Sequence, residues 1–285
     1  MNLLLLGVSQ AGKSTYGGQL VHRFETGGGN TALRELRRPE HTRALDSVVD
    51  ALLEGRPAER TSQATHDRVT FHLQDQAGNE VNVLWPEFGG EAFKSRVLMP
   101  RALPARWAQD AREADGLLLL LRPAMDPEAP GLEANGRGVR DRQPGTDEDD
   151  DPTLVVPQPD ARYVELLQLI LHVRGTSRRD RADIPLVIGL SFWDELQGRY
   201  GTPEAALRGA YPLLDAYLRG AWQPGAWRAY GLSPQGRPLH LEKGYDEAFA
   251  AAGPTANGFV ALPDGTPDPD LTLPLAWLAE RARAT

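Results

Sequence analysis

An α/β fold, with a mostly parallel sheet, helices on both faces and one antiparallel edge strand, is what this sequence predicts, and three observations carry that expectation. Short wholly apolar runs, Leu3 to Leu6, Leu117 to Leu121 and Ile184 to Leu190, have the composition of strands buried on both faces. Stretches of helical spacing alternate with those runs, which is the order of parallel strands joined by crossover helices. The first run stops at Gly7-Val8-Ser9-Gln10-Ala11-Gly12-Lys13-Ser14, which fits G-x-x-x-x-G-K-[ST] at every fixed position. The spacing has a chemical reason. Glycines let a tight loop turn successive backbone N–H groups toward phosphate oxygens, and the helix that follows aims its positive end at the same anion. These features together predict a P-loop NTPase fold.

In chain order, the first helix follows the loop through Tyr16, Leu20, Val21 and Phe24, and Gly27-Gly28-Gly29 stops it. Residues 25–60 form an insertion. Within it Ala44, Leu45, Val48, Val49, Leu52 and Leu53 keep helical spacing up to Gly55. Arg68 to Gln74 alternates as a strand, residues 75–79 turn, and Glu80 to Trp85 returns with Val81, Val83 and Trp85 on one face. Helices are predicted over Glu91 to Met99 and Pro104 to Ala114, followed by the strand at Leu117. Residues 123–160 are rich in Pro, Gly, Asp and Glu, with Asp147 to Asp151 a solid acidic block, a composition that favours a solvated loop. Tyr163 to Val173 is a helix with one apolar face, Ala205 to Leu218 another, Trp227 to Leu232 a last strand, and Leu273 to Ala284 a closing helix. Residues 236–270 read as an irregular excursion from what is otherwise a single domain over residues 1–285.

Composition narrows the function. The chain has 285 residues and a formal net charge of −8, which argues against a nucleic-acid partner. It contains no cysteine, so disulfides, thiolate metal sites and a cysteine nucleophile are excluded. The six histidines have no metal-ligand spacing. No apolar run approaches the roughly 20 residues that cross a bilayer, so no integral membrane segment is expected. With the P-loop strand beginning at residue 2, no signal peptide is expected and a cytoplasmic location is the default expectation.

With the P-loop, the hairpin and two later strand-end motifs in this order, the chain resembles the P-loop GTPase superfamily in its Ras-like, translation-factor-related branch. Within that branch it resembles the divergent bacterial double-GTPase domains of predicted conflict systems. The resemblance implies a GTP/GDP site with Mg²⁺, and it assigns roles. Gly7, Ser9, Gln10, Ala11, Gly12, Lys13, Ser14 and Thr15 hold phosphate, with Lys13 on the β- and γ-phosphates and the Ser14 hydroxyl on Mg²⁺. The D-x-x-G motif falls on Glu87-Phe88-Gly89-Gly90, with Glu87 toward the metal and the Gly90 N–H toward the γ-phosphate. Glu91 stands where the superfamily often places a water-orienting glutamine. Thr61 or Thr65 is the first-switch threonine, with Thr61 the preferred metal ligand, and Arg60 is a candidate arginine finger.

The base motif [NT]-K-x-D falls on Ser191-Phe192-Trp193-Asp194. Asp194 is the guanine-reading carboxylate and Phe192 replaces the lysine that packs over the base. The second base motif falls on Ser233-Pro234-Gln235, and Pro234 has no N–H to offer guanine O6. Glu91 places a second negative charge beside the γ-phosphate, and Ser9 crowds the approach of an external arginine, so slow hydrolysis is expected. The function implied is a slow GTP-hydrolysing switch acting with a protein partner, either a second GTPase or another effector. The alternatives are a nucleotide-binding regulator without turnover and an ATP-using P-loop enzyme.

Overall fold

The computed structural model describes residues 1–7, 11–27, 31–39, 42–57, 69–85, 101–123, 159–177, 179–196, 198–239 and 244–284. Among the described residues nine strands form one sheet: β1 (Asn2–Gly7), β2 (Leu33–Arg37), β3 (Val69–Asp75), β4 (Glu80–Trp85), β5 (Gly116–Leu121), β6 (Leu186–Ser191), β7 (Trp227–Ser233), β8 (Phe259–Ala261) and β9 (Pro267–Asp268). The helices are α1 (Lys13–Glu25), α2 (Arg43–Leu53), α3 (Ala105–Glu113), α4 (Pro159–Val173), α5 (Trp193–Leu196), α6 (Pro203–Ala210), α7 (Pro212–Ala221), α8 (Glu247–Ala252), α9 (Pro254–Asn257) and α10 (Leu273–Arg283).

The strand order is β2-β3-β4-β1-β5-β6-β7-β8-β9. The central five, β4-β1-β5-β6-β7, are parallel, with Leu4 opposite Leu84 on one side and Leu117 on the other. Chain direction within the sheet diverges at β1: the chain reaches one neighbour, β4, through the hairpin, and the other, β5, through α3. That switch point is where an open α/β sheet leaves a crevice beyond its strand ends.

The apolar runs are continuous because both sheet faces are covered, and their alternate residues supply two cores. Leu4, Leu6, Leu117, Leu119, Leu121, Ile188 and Leu190 pack under α3, α4, α6 and α7. Leu3, Leu5, Leu118, Leu120 and Val187 face the other way, under α1, α2 and α10, with Phe71, Val83 and Trp85 of the hairpin.

Several elements differ from the sequence expectation. Strand β2 was not anticipated, because Leu-Arg-Glu-Leu-Arg buries only Leu33 and reads as a charged loop. It lies outside β3 as the sheet edge, and its exposed charges suit an edge that must not pair with another chain. The helix expected over 205–218 is two helices. The backbone leaves helical geometry at Tyr211 (φ −136°, ψ 64°) because Pro212 disfavours a helical residue before it and opens α7 instead. Asp160, placed by sequence in the acidic loop, belongs to the first turn of α4. Its carboxylate accepts the N–H groups of Leu213 and Leu214 at 2.7 Å each, which satisfies orphan donors at the start of α7.

The stretch 236–270 is also more ordered than expected. It contains α8, α9, β8 and β9, and its glycines and prolines act as caps and turns between short elements, with Pro254 opening α9 directly after Gly253. Helix α1 holds it in place. The buried Arg23 guanidinium donates to the carbonyls of Thr255 (3.0 Å), Gly258 (2.9 Å) and Pro269, the Tyr16 hydroxyl donates to the Leu271 carbonyl (2.7 Å), and Gln19 Nε2 donates to the Pro254 carbonyl (3.1 Å). Burial lowers the Arg23 pKa and raises that of Tyr16, so Tyr16 stays a neutral donor. The expected helix over 91–99 and the acidic block 147–151 lie outside the described residues.

Candidate functional site

The carboxyl ends of β1, β5, β6 and β7 meet at one edge of the sheet, and the residues singled out from the sequence collect there. Gly7 ends β1, so close to β5 that an added Cβ would lie 3.1 Å from the Leu120 carbonyl oxygen. Gly12 has φ +78°, a left-handed conformation that suits glycine, and directly precedes α1. The Gly12 carbonyl accepts the Tyr16 N–H at 3.0 Å, so the helix starts at Lys13, with its positive end at the carboxyl end of β1. Lys13 is buried, and its ammonium donates to the Gly7 carbonyl at 2.8 Å. Ala11 is buried, while Ser14 and Thr15 in the first turn of α1 are partly accessible.

The Ser191-Phe192-Trp193-Asp194 segment leaves β6 beside this loop. The Ser191 hydroxyl donates to the Leu121 carbonyl at 2.8 Å, which fastens the end of β6 to the end of β5. Phe192 has φ +56°, a conformation that a bulky side chain rarely adopts and that costs about 1–2 kcal/mol. The strained backbone brings its ring against the P-loop: a Cβ added to Gly12 would lie 3.3 Å from Phe192 Cε2 and 3.3 Å from Ser191 Cβ. Trp193 is buried and packs across Gly231 of β7, where only a glycine leaves room for the indole.

Asp194, in the first turn of α5, meets the end of β7. The Ser233 hydroxyl, fully buried, donates to Asp194 Oδ1 at 2.5 Å and accepts the Gly236 N–H at 2.9 Å. Two motifs 39 residues apart thereby become one unit, in which Ser233 orients the carboxylate. Pro234, with no N–H, follows in the turn that Gly236 closes onto the Ser233 carbonyl at 3.2 Å.

One residue at this edge was missed from sequence. Arg122 directly follows β5, and its guanidinium lies 3.4 Å from the centre of the Phe192 ring, with Nη2 3.5 Å from Glu195 Oε1. Burial lowers its pKa, an effect opposed by the charges of Glu195 and Asp194, and a guanidinium remains protonated throughout. The available signal was its position, a cation immediately after a buried parallel strand, where ligands of open sheets bind.

The structure therefore brings together Gly7, Ala11, Gly12, Lys13, Ser14, Thr15, Phe192, Asp194 and Ser233. The remaining candidates, Ser9, Gln10, Arg60, Thr61, Thr65, Glu87, Gly90 and Glu91, lie outside the described residues. Among the described residues no group of three or more His, Asp or Glu side chains is placed to hold a metal, and no helix is long and apolar enough to cross a membrane.

Many solved structures resemble the chain, two of them as follows. Translation elongation factor SelB from Methanococcus maripaludis, in complex with a GTP analogue, is 9% identical with a TM-score of 0.38, over 82% of this chain and 29% of that one. The S. cerevisiae Ski7 GTPase-like domain, bound to GTP, is 13% identical with a TM-score of 0.42, over 82% and 42%. The chain thus spans less than half the length of either, and likeness at this level carries no residue-by-residue correspondence. Comparison with curated protein sequences finds no match. A sequence model of the Double-GTPase 1 family, in contrast, matches residues 4–278. With a P-loop sequence directly after β1, an interior strand of the sheet, and that match over nearly its whole length, which together support guanine-nucleotide binding, the chain belongs to the Double-GTPase 1 family.

Proposed function

We propose that this protein is a Mg²⁺-dependent GTP-binding switch that hydrolyses its nucleotide slowly and works with a protein partner, a second GTPase domain or another effector of a bacterial signalling or conflict system. The observation that carries the reading is the convergence at one sheet edge of Lys13, at the start of α1, with the Ser233–Asp194 pair. Phosphate binds at the loop and the N-terminus of α1, where Lys13 exchanges the Gly7 carbonyl for phosphate oxygens. The carboxylate of Asp194, held by Ser233, accepts from the N1 and N2 donors of guanine, which adenine lacks. Phe192 supplies an aromatic face for the base.

Mg²⁺ fits the donors present. In P-loop sites the ion keeps several waters and takes most of its remaining ligands from phosphates, so one hydroxyl, Ser14, and one or two further groups suffice. Thr61 and Glu87 are the further groups proposed. The ion would neutralise charge developing on the phosphates, and Ser14 would orient it. Glu91 in place of a water-orienting amide is the reason for proposing slow turnover, because a carboxylate beside the γ-phosphate opposes the attack it would have to assist.

The test is a calorimetric titration with GDP and with ADP in Mg²⁺, beside Lys13→Ala and Asp194→Ala. Tight GDP binding, weak ADP binding, loss of both with Lys13→Ala and selective loss of GDP with Asp194→Ala support the reading. Equal affinities for GDP and ADP would overturn guanine recognition. Phosphate release in a single turnover then separates a slow GTPase from a regulator that holds nucleotide without consuming it.

A further inference from the structure

The base motif that this chain resembles carries a lysine where Phe192 stands, and the charge lost there returns in space from a different strand. Arg122 reaches the Phe192 ring from the end of β5, with its guanidinium 3.4 Å from the ring centre. Its side chain and that of Glu195, at 3.5 Å, are 22% and 27% exposed. A guanidinium is planar and stacks on an aromatic face, which an ammonium cannot do. Arg122 Nε is buried and finds no hydrogen-bond partner among the described residues, so stacking and charge, not a full set of hydrogen bonds, hold the side chain in place.

The strand order fixes the sides. β6 lies between β5 and β7, so Arg122 comes from the β5 side of Phe192, whereas Asp194 and Ser233 meet on the β7 side. Phe192 itself is only half-buried, which leaves ring surface for a ligand. We propose that Arg122 is a positioning residue of the base site: stacked on one face of Phe192, it holds the ring against Gly12 and leaves the opposite face for the guanine, so that Arg122 and Phe192 together replace the motif's lysine. This rests on the guanine-binding reading above.

Two physical effects support the assignment. The pairing fixes a ring whose backbone is already strained, so less ordering remains to be done when the base arrives. It also sets a positive charge beside Asp194 and Glu195, two adjacent carboxylates that would otherwise repel a nucleotide carrying several negative charges.

The experiment is calorimetry on the full chain with Mg²⁺ and three probes, GDP, ADP and inorganic pyrophosphate. Arg122→Ala should weaken GDP about five- to thirtyfold, the range of a partly desolvated cation–π contact, and leave pyrophosphate binding unchanged. Phe192→Lys alone sets two cations side by side and should also weaken GDP. Placed in the Arg122→Ala background, it should restore most of the lost affinity, a rescue that a merely structural arginine would not show.

Unchanged or tighter GDP binding by Arg122→Ala would overturn the proposal, the tighter case meaning that the guanidinium blocks the face the base needs. Equal loss of GDP and pyrophosphate would also overturn it, since Arg122 would then be supporting the phosphate loop. A wild-type chain that binds pyrophosphate but not GDP would overturn the guanine reading as well, a result distinct from a wild type and a variant that bind GDP alike.

Discussion

Gly231→Ala tests whether base recognition is transmitted through packing. Gly231 sits in β7 between Leu190 of β6 and Ala261 of β8, and its missing side chain is the space Trp193 fills. A Cβ there would stand 2.3 Å from Trp193 Cδ2, 2.6 Å from Cγ and 2.7 Å from Cε3. The indole must retreat by about 1 Å to reach ordinary contact, and because Trp193 is buried, overpacking of this kind costs about 1–3 kcal/mol.

The functional effect follows from the next residue. A shift of about 1 Å carried into Asp194 stretches its 2.5 Å bond from Ser233 to the limit of a hydrogen bond. Hydrogen bonds to a charged group contribute about 1.5–3 kcal/mol, so GDP affinity should fall roughly 10- to 150-fold while ADP and pyrophosphate binding hold. Calorimetry with the three probes, beside urea unfolding, measures both effects, and Trp193→Phe added to Gly231→Ala should recover part of each by relieving the clash. A variant that loses stability but keeps full GDP affinity would refute the coupling, since it would show that Trp193 can move without moving Asp194.

Arg23→Ala should lower stability by about 3 kcal/mol, because three buried carbonyls lose a charged donor together; the urea midpoint should drop by roughly 1 M while GDP affinity is retained. An unchanged midpoint would show that 254–270 packs without the clamp. Asp75 is held below the usual carboxylate range chiefly by the Asn79 side chain, then by the N–H groups of Asn79 and Ala77 and the charge of Arg283. A carboxylate lowered on folding contributes stability that is complete above its unfolded pKa, about 4, and is lost as pH falls through the folded value. The deficit of Asp75→Asn, about 1 kcal/mol at pH 7 for a partly exposed pair, should therefore narrow below pH 4, and urea titrations that show a constant or widening gap would contradict this. Thr202 caps α6 by accepting the Ala205 N–H at 3.2 Å, so Thr202→Ala should cost about 1 kcal/mol in the same assay, with no change in nucleotide binding.

Much of this architecture follows from local pattern. Five consecutive leucines at 117–121 have the composition of a strand covered on both faces, and the glycine and lysine spacing of residues 7–14 fits a phosphate loop, because both readings depend on residues adjacent in the chain. Asp194 and Ser233 could each be named from the sequence for the same reason. Their 2.5 Å bond could not, since it exists only because β6 and β7 are neighbours in register.

What escaped the sequence was whatever depended on distant partners. Strand β2 is a strand because β3 offers it an edge, not because Leu-Arg-Glu-Leu-Arg prefers one. The 236–270 stretch is held because Arg23, spaced as an ordinary helical arginine, points at three carbonyls more than 230 residues away. Arg122 has no motif of its own, and its place over Phe192 comes from the order β5-β6-β7. The sequence by itself determined a P-loop on a parallel α/β sheet and the chemical types at its edge. Only the tertiary structure decided which of those side chains touch, because contact across a sheet is set by strand order and register, which no local stretch encodes.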